Sequence, residues 1–220
     1  MVTQIRNFWD SDSVVKPYQM GPHKHRLYLL TMLDKRLVRS LLDVGCGTAP
    51  IYEIIKKCRI DYGYGLRKYS IKKYKGTDYS EGMIESCKQQ FSEGDFEVED
   101  ARYLKEKDNS WDCVLLLHTL DHVNDYKAVI KEAARVAKRY VCIVLWRAFA
   151  DDGQVHINDR NMIDKKEEEE PWLDSYLMQF PRELLEKEFK RNKLKIEETA
   201  EGEQLNSGQS KWNFLFLLSK

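Results

Sequence analysis

The sequence predicts an α/β fold in which a mostly parallel sheet carries helices on both faces. Short apolar segments alternate with longer amphipathic segments along the chain, which is the pattern of strand–helix–strand units. Two of the short segments, 114–117 and 141–145, are entirely apolar, as expected for strands buried on both faces of a parallel sheet. A glycine-rich turn, residues 45–48, lies between the first strand and the next helix.

The elements follow one another in a regular order. The expected strands are 40–44, 73–77, 96–98, 113–117, 140–145, 194–199 and 213–218. The expected helices are 23–37, 51–58, 82–90, 126–138 and 181–189. A glycine- and serine-containing loop joins the last two strands, so we expect them to pair antiparallel.

Composition excludes several classes of protein. The 220 residues include 36 Lys and Arg and 36 Asp and Glu, so a globally basic nucleic-acid binder is excluded. No apolar run is long enough for a transmembrane helix, and residues 1–10 lack the apolar core of a signal peptide, so we expect a cytoplasmic protein without a membrane partner. The five cysteines form no CxxC pair, which argues against a zinc ribbon or a disulfide framework.

The turn GCGT at residues 45–48 is a candidate ligand site. Glycine lets a ligand approach the backbone closely, and the helix behind the turn offers free N–H groups. A dinucleotide site would have a third glycine where this chain has Pro50. Asp43 would repel a pyrophosphate but would suit a ligand that carries an ammonium group.

Four ordered motifs resemble one family. They are LLDVGCGT at 41–48, GTDYSEGMI at 76–84, EDARYL at 99–104, and the segment 111–123 from Trp-Asp-Cys-Val to Asp-His-Val. Together they resemble class I S-adenosylmethionine-dependent methyltransferases of the type 11-like group, over residues 38–146. The resemblance implies a Rossmann-like fold, a seven-stranded mostly parallel sheet with an antiparallel last strand. It also implies an enzyme with S-adenosyl-L-methionine as cofactor and S-adenosyl-L-homocysteine as product.

The resemblance also implies roles for individual residues. Asp78 would accept hydrogen bonds from the ribose hydroxyls, Asp43 would hold the ammonium of the methionine moiety, and Asp100 would accept from the adenine amine. Asp78 could instead be a turn residue, with Asp61 the competing ribose acid, and Asp100 could be a solvent-exposed loop residue. The full expected cofactor set is Asp43, Gly45, Cys46, Gly47, Asp78, Tyr79, Met83, Asp100, Ala101, His118, Tyr18 and Arg26.

We expect one methyltransferase domain over 1–220, with four parts. These are an N-terminal helical lid (1–37), a cofactor-binding core (38–146), an insertion over the acceptor site (147–178), and a C-terminal helix with a strand pair (179–220). In the lid, Tyr18 and Arg26 are expected to face the cofactor, although a helix packed on the sheet with Arg26 exposed is the alternative.

His118 is the candidate catalytic residue. The fourth core strand ends there, and a histidine can serve as general base for an oxygen or nitrogen acceptor. A structural role in the turn is the alternative. His122 follows four residues later, but no third ligand is evident and we expect no metal site. We expect Trp146, Trp172 and Tyr176 to close over the acceptor.

A basic segment precedes the second core strand. Residues 56–75 contain eight Lys and Arg, one acid and four interleaved tyrosines, Tyr62, Tyr64, Tyr69 and Tyr74. We interpret it as a solvated face or a remote docking patch.

The leading predicted function is O- or N-methylation of a small molecule. RNA or protein methylation through residues 56–75 and a non-catalytic cofactor-binding protein are the alternatives, and a monomer or a dimer is left open.

Overall fold

The computed structural model describes residues 24–57, 60–61, 66–146, 149–158, 177–201 and 214–220. Its helices are α1 (Lys24–Lys35), α2 (Pro50–Lys57), α3 (Glu81–Gln90), α4 (Tyr126–Val136) and α5 (Arg182–Arg191), with a short 3-10 helix at Leu120–His122. Its strands are β1 (Ser40–Val44), β2 (Ile60–Asp61), β3 (Leu66–Arg67), β4 (Lys73–Asp78), β5 (Phe96–Val98), β6 (Trp111–Leu117), β7 (Ala137–Leu145), β8 (His156–Asn158), β9 (Leu177–Gln179), β10 (Lys195–Glu201) and β11 (Phe214–Ser219).

Seven strands form the central sheet in the order β10-β11-β7-β6-β1-β4-β5. The five strands from β7 to β5 pair in parallel, whereas β11 runs antiparallel to both of its neighbours. This arrangement confirms the predicted Rossmann-like α/β fold with its reversed last strand. The strand order changes direction at β1, between β6 and β4, so the carboxyl ends of these strands open a crevice.

Both faces of the sheet are covered by helices. Side chains of α1, α2 and α3 form one apolar cluster against the sheet, and side chains of α4 and α5 form the other. The alternation within β1 shows the division, since Leu41 belongs to the first cluster and Leu42 to the second. The strand interiors are therefore buried from both sides, as their continuous apolar sequences predict.

Local sequence explains where the helices near the crevice begin. Pro50 is the first residue of α2, a position where the missing N–H costs no helical hydrogen bond. Ser80 caps α3, and its hydroxyl accepts a hydrogen bond from the Met83 amide at 3.0 Å. Asp125 caps α4 in the same way through the Ala128 amide at 3.1 Å. Each of these helices therefore starts at the carboxyl edge of the sheet.

The basic segment 56–75 differs from its sequence interpretation at its C-terminal end. Tyr69, Tyr74 and Lys75 are buried, because Tyr69 packs in the first apolar cluster and the following residues enter the sheet as β4. They contribute nothing to a solvated patch, and that part of the interpretation is wrong. Tyr62 and Tyr64 lie outside the described residues.

Two small hairpins were not expected. β2 pairs antiparallel with β3 between α2 and β4, and β8 pairs antiparallel with β9 within the segment that follows β7. Across the described ranges, no helix combines the length and apolarity needed to cross a membrane. The cytoplasmic location stays a prediction.

Candidate functional site

A cleft of about 160 Å³ opens at the carboxyl edge of the sheet, where the strand order reverses. The turn after β1, the end of β4, the loop after β5 and the turn after β6 form its walls. Residues far apart in the chain meet there: Val44, Gly45, Gly47, Asp78, Tyr79, Met83, Glu99, Asp100, Ala101, Arg102, Leu117, His118, Thr119, His122, Val123 and Asn124. Eight of the predicted cofactor residues are therefore in one place.

The glycine turn is held by close packing against the turn after β6. Gly45 has φ +75°, and a Cβ placed on it would overlap the Thr119 side chain. The Thr119 hydroxyl donates to the Val44 carbonyl at 2.6 Å, so this side chain bridges the two turns. Gly45 and Cys46 both donate backbone hydrogen bonds to the Thr77 carbonyl, at 2.7 and 2.9 Å. Glycine is required at this position by conformation and by space.

Asp78 joins the glycine turn to the end of β4. Its Oδ2 accepts a hydrogen bond from the Gly47 amide at 2.9 Å, and its Oδ1 accepts from the Ser80 amide at 2.9 Å. Each carboxylate oxygen has more than one acceptor site, so further hydrogen bonds from a ligand fit this carboxylate. Asp61 belongs to β2, in the hairpin between α2 and β4.

Asp43 is a buried carboxylate beside the turn, with one oxygen satisfied and one open. The Tyr74 hydroxyl donates to Oδ2 at 2.7 Å, whereas Oδ1 is buried and has no hydrogen-bond partner in the described part of the chain. Burial raises the pKa of Asp43 to about 7, an effect that the Tyr74 hydrogen bond partly offsets and Asp78 increases. A buried acceptor of this kind suits a cationic group.

A smaller cavity of about 10 Å³ lies next to Asp43. Its walls include Asp43, Cys46, His118 and Arg26 of α1. Arg26 is buried, and its charge lowers the pKa of Asp43 slightly. The alternative of an exposed Arg26 is therefore wrong, because α1 packs against the glycine turn. Tyr18 and the rest of the expected lid before Lys24 lie outside the described residues.

Asp100 lies at the other end of the cleft in a bidentate ion pair with Arg102. The guanidinium donates to both carboxylate oxygens, at 2.9 Å from Nε to Oδ1 and 2.6 Å from NH2 to Oδ2. Burial alone would raise the pKa of Asp100, but the hydrogen bonds from Arg102 outweigh it and lower the pKa. Asp100 therefore stays ionised, and it lines the cleft with its side chain 24% exposed.

His118 is fixed between two other rings at the end of β6. Its backbone has φ +58°, and its amide donates to the Val144 carbonyl of β7 at 2.8 Å. The imidazole lies 5.6 Å from the His25 ring and 4.9 Å from the Trp146 ring, which meets it edge to face. A non-glycine residue in this backbone region is uncommon and is concentrated at functional sites.

Asp121 holds the tryptophan in place. Its buried carboxylate accepts a hydrogen bond from the Trp146 amide at 3.1 Å, which ties the turn after β6 to the end of β7. The Trp146 side chain is 45% exposed, so it forms an apolar rim beside His118. Trp172 and Tyr176 lie outside the described residues. His118 and His122 do not share a helical face, because His118 precedes the three-residue 3-10 helix Leu120–His122, of which His122 is the last residue.

Residues 42–144 match the family model described as a methyltransferase domain. The match begins in β1 and ends in β7, so it spans the five parallel strands that form the cleft. The domain that residues 42–144 form belongs to the class I S-adenosylmethionine-dependent methyltransferase family. The predicted family is confirmed, and S-adenosylmethionine is the cofactor of that family.

Curated relatives of this methyltransferase act on different acceptors. The chain is 32% identical over 124 residues to a sterol 24-C-methyltransferase of Aspergillus fumigatus, a match that covers 56% of this chain and 31% of the relative. It is 27% identical over 135 residues to ajmaline N-methyltransferase of Rauvolfia serpentina, covering 55% of this chain and 44% of the relative. The chain spans less than half the length of each curated relative.

Solved structures share the fold along most or all of this chain. Magnesium protoporphyrin IX methyltransferase from Synechocystis PCC 6803, solved with S-adenosylhomocysteine, has a TM-score of 0.68 at 18% identity and covers 100% of both chains. A [4+2]-cyclase superposes with a TM-score of 0.58 at 16% identity, covering 88% of this chain and 80% of that one. These likenesses concern the fold, which hosts more than one chemistry.

Three residues of the site were not identified from the sequence. Arg102 pairs with Asp100, Thr119 fills the space above Gly45, and Asp121 anchors Trp146. Arg102 lies two residues after Asp100, so a nearby opposite charge was a readable signal. For Thr119 and Asp121 the partner is a glycine or a backbone amide more than twenty residues away, which leaves no local signal.

Proposed function

We propose that this chain binds S-adenosylmethionine in the cleft and transfers its methyl group to an oxygen or nitrogen of a small molecule. One observation supports the proposal most strongly. Four sequence motifs spread over residues 41–123 form a single cleft that the glycine turn, Asp78 and Asp100 line. Such a crevice at the switch point of the sheet is where ligands bind in open α/β folds.

The carboxylates suit the three polar parts of the cofactor. The Asp78 oxygens would accept from the ribose hydroxyls in addition to their two backbone donors. The open Asp43 Oδ1 would accept from the ammonium of the methionine moiety. Asp100, kept ionised by Arg102, would accept from the adenine amine, with Ala101 beside it. Tyr79, Met83 and Leu117 supply the apolar walls between them.

The chemistry requires alignment and, for a protonated acceptor, a base. The bound cofactor supplies a methyl group on a positively charged sulfur, already activated for displacement. We assign His118 to take the acceptor proton, because its ring lies at the cleft and is oriented by His25 and Trp146. Rigid placement of a base in this way lowers the entropy cost of reaching the reactive geometry.

A small acceptor is preferred over a polymer. The relatives named for sterol and alkaloid methylation act on small molecules by their names. The basic segment presents fewer exposed aromatic side chains than its sequence predicts, because Tyr69 and Tyr74 are buried in the core. RNA methylation remains the alternative that residues 56–75 would serve. A non-catalytic cofactor-binding role is the other alternative, and the oligomeric state is left open.

The test is transfer of a labelled methyl group from S-adenosylmethionine to panels of small amines and hydroxyl compounds, to RNA and to protein. We expect labelling of a small acceptor, and a loss of turnover of about 10²–10⁴-fold in His118→Ala with unchanged cofactor affinity. His156→Ala is the control, because His156 is exposed and pairs with Asp152. Normal turnover with a lowered melting temperature in His118→Ala would end the catalytic assignment, and labelling of RNA alone would support the polymer alternative.

A further inference from the structure

Lys75 occupies an unusual position for a lysine. It lies within β4, its side chain is only 10% exposed, and its ammonium contacts three carboxylates. The distances from Nζ are 2.8 Å to Glu97 Oε2, 2.8 Å to Glu99 Oε1 and 2.7 Å to Glu106 Oε1. Burial lowers the pKa of Lys75, but the three hydrogen bonds outweigh it and raise the pKa well above its usual range. The lysine is therefore permanently charged.

The three acids all belong to β5 or to the β5–β6 loop, residues 99–110. This loop contains no helix or strand, and its first residues, Glu99 to Arg102, line the cleft. Arg135 of α4 fixes the later part of the loop by donating to the Leu104 and Glu106 carbonyls at 2.9 and 2.7 Å. Lys75 fixes the beginning, where the Glu99 side chain is fully buried.

The backbone links this lysine to the cofactor residues on both strands. Lys75 precedes Asp78 by three residues on β4, and the Glu99 amide donates to the Asp78 carbonyl at 2.9 Å. Asp100 comes directly after Glu99. A displacement of the Glu99 side chain therefore moves the carboxylate that faces the adenine end of the cleft.

We propose that Lys75 is a positioning residue that sets cofactor affinity and recognition of the adenine base without touching the cofactor. This inference rests on the proposed binding of S-adenosylmethionine. Without the ammonium, Glu99 and Glu106 would be two buried like charges with no shared cation. One of them must then take up a proton or move toward water, and either change removes the ion pair that ties the start of the loop presenting Asp100 and Ala101 to β4.

The test uses calorimetric titration with S-adenosylhomocysteine and with S-inosylhomocysteine, in which a carbonyl oxygen replaces the 6-amino group. The wild-type protein should prefer the adenosyl compound, since Asp100 accepts from an amine and repels a carbonyl oxygen. In Lys75→Met we expect adenosyl affinity to fall about tenfold, the scale of one lost hydrogen bond to a charged group, and the preference to shrink toward unity. Lys75→Arg keeps the positive charge and should therefore retain part of the adenosyl affinity and part of the preference.

Two further variants keep the outcome decisive. Lys73→Met is the matched control, because Lys73 lies on the same strand with an exposed ammonium 4.0 Å from the Trp111 ring centre. If Lys75→Met does not fold, Lys75→Met/Glu106→Met removes equal and opposite charges, keeps the volume, and should still lose the preference. A lowered melting temperature with unchanged affinity and unchanged preference would overturn the inference. No binding of S-adenosylhomocysteine by the wild-type protein would instead refute the proposed function.

Discussion

Two of the loops that line the cleft, the turn after β1 and the β5–β6 loop, are held by different forces. The turn after β1 is fixed by packing, since Thr119 fills the space above Gly45 and backbone amides bond to β4. The β5–β6 loop is fixed by charge, through Lys75 at its start and Arg135 further along. Each loop also contains or adjoins a buried carboxylate, Asp43 in one case and Glu99 in the other.

The two buried carboxylates, Glu99 and Asp43, differ in their hydrogen-bond partners. Glu99 has the Lys75 ammonium and the Lys105 amide at 3.2 Å, so both of its oxygens are satisfied within the protein. Asp43 has a neutral phenol on one oxygen and, among the residues that the structure describes, no hydrogen-bond partner on the other. A protein that leaves a buried acid half satisfied gives up stability, and such positions are concentrated where a ligand completes the site.

The largest expected effect comes from Asp43→Asn, which tests the turn after β1, the loop that is held by packing. The pKa of Asp43 is raised from 3.8 to about 7 in the folded protein. A raised pKa of an acid contributes stability that is complete below pH 4 and is lost as the pH rises through 7. At pH 8.5 the ionised carboxylate therefore costs on the order of 3 kcal/mol, which asparagine avoids.

Urea unfolding of Asp43→Asn should thus show a gain in stability that is larger at pH 8.5 than at pH 5 by roughly 2–3 kcal/mol, because the penalty of the buried carboxylate grows between its unfolded-state pKa and its folded-state pKa of about 7. Cofactor affinity should move the opposite way and weaken. Asp95→Asn is the matched control, because Asp95 is exposed. Equal stability of variant and wild type at both pH values would show that Asp43 is not a strained acid.

A smaller effect is expected from Gly45→Ala, which separates packing from backbone conformation. The alanine Cβ would overlap Thr119 and would also occupy φ +75°. We expect a loss of about 2–3 kcal/mol in the free energy of unfolding.

Gly153→Ala provides the control for the backbone term alone. Gly153 has φ +74° but no atom within 4 Å of an added Cβ, so its loss should be only about 1 kcal/mol. The double variant Gly45→Ala/Thr119→Ala should recover only part of the packing loss, because it removes the Thr119 Oγ1 and Cγ2, which overlap the added Cβ most closely, but keeps the residue 119 Cβ at 2.9 Å from it. Identical losses in the two glycine variants would mean that Thr119 does not hold the turn.

The same contrast explains what the sequence could and could not predict. The strands and the packed turn follow from local patterns: β1 and β5 have the predicted bounds, and Asp78 lies in the cleft as expected. Hydrophobic periodicity and glycine placement are short-range signals, and they are sufficient for these elements.

The charged loop does not follow from local patterns. Lys75 was counted with a basic surface because its three acidic partners lie 22 to 31 residues further along the chain. Tyr74 was counted as a surface aromatic because its partner, Asp43, lies 31 residues earlier. Strand pairing brings both side chains to their partners, because β4 lies between β1 and β5 in the sheet. Local sequence carries no signal for such contacts.

The most direct test of the central claim is calorimetric titration of S-adenosylmethionine into wild type, Asp78→Ala and Asp61→Ala. We expect wild type and Asp61→Ala to bind alike, and Asp78→Ala to lose about 1.5–3 kcal/mol, which is roughly 10- to 150-fold in affinity. The 2′-deoxy form of S-adenosylhomocysteine should bind wild type more weakly than the parent compound does. Asp78→Ala should bind the 2′-deoxy form and the parent compound with equal affinity. Full affinity in a folded Asp78→Ala protein would contradict the account and move the ribose site away from the end of β4.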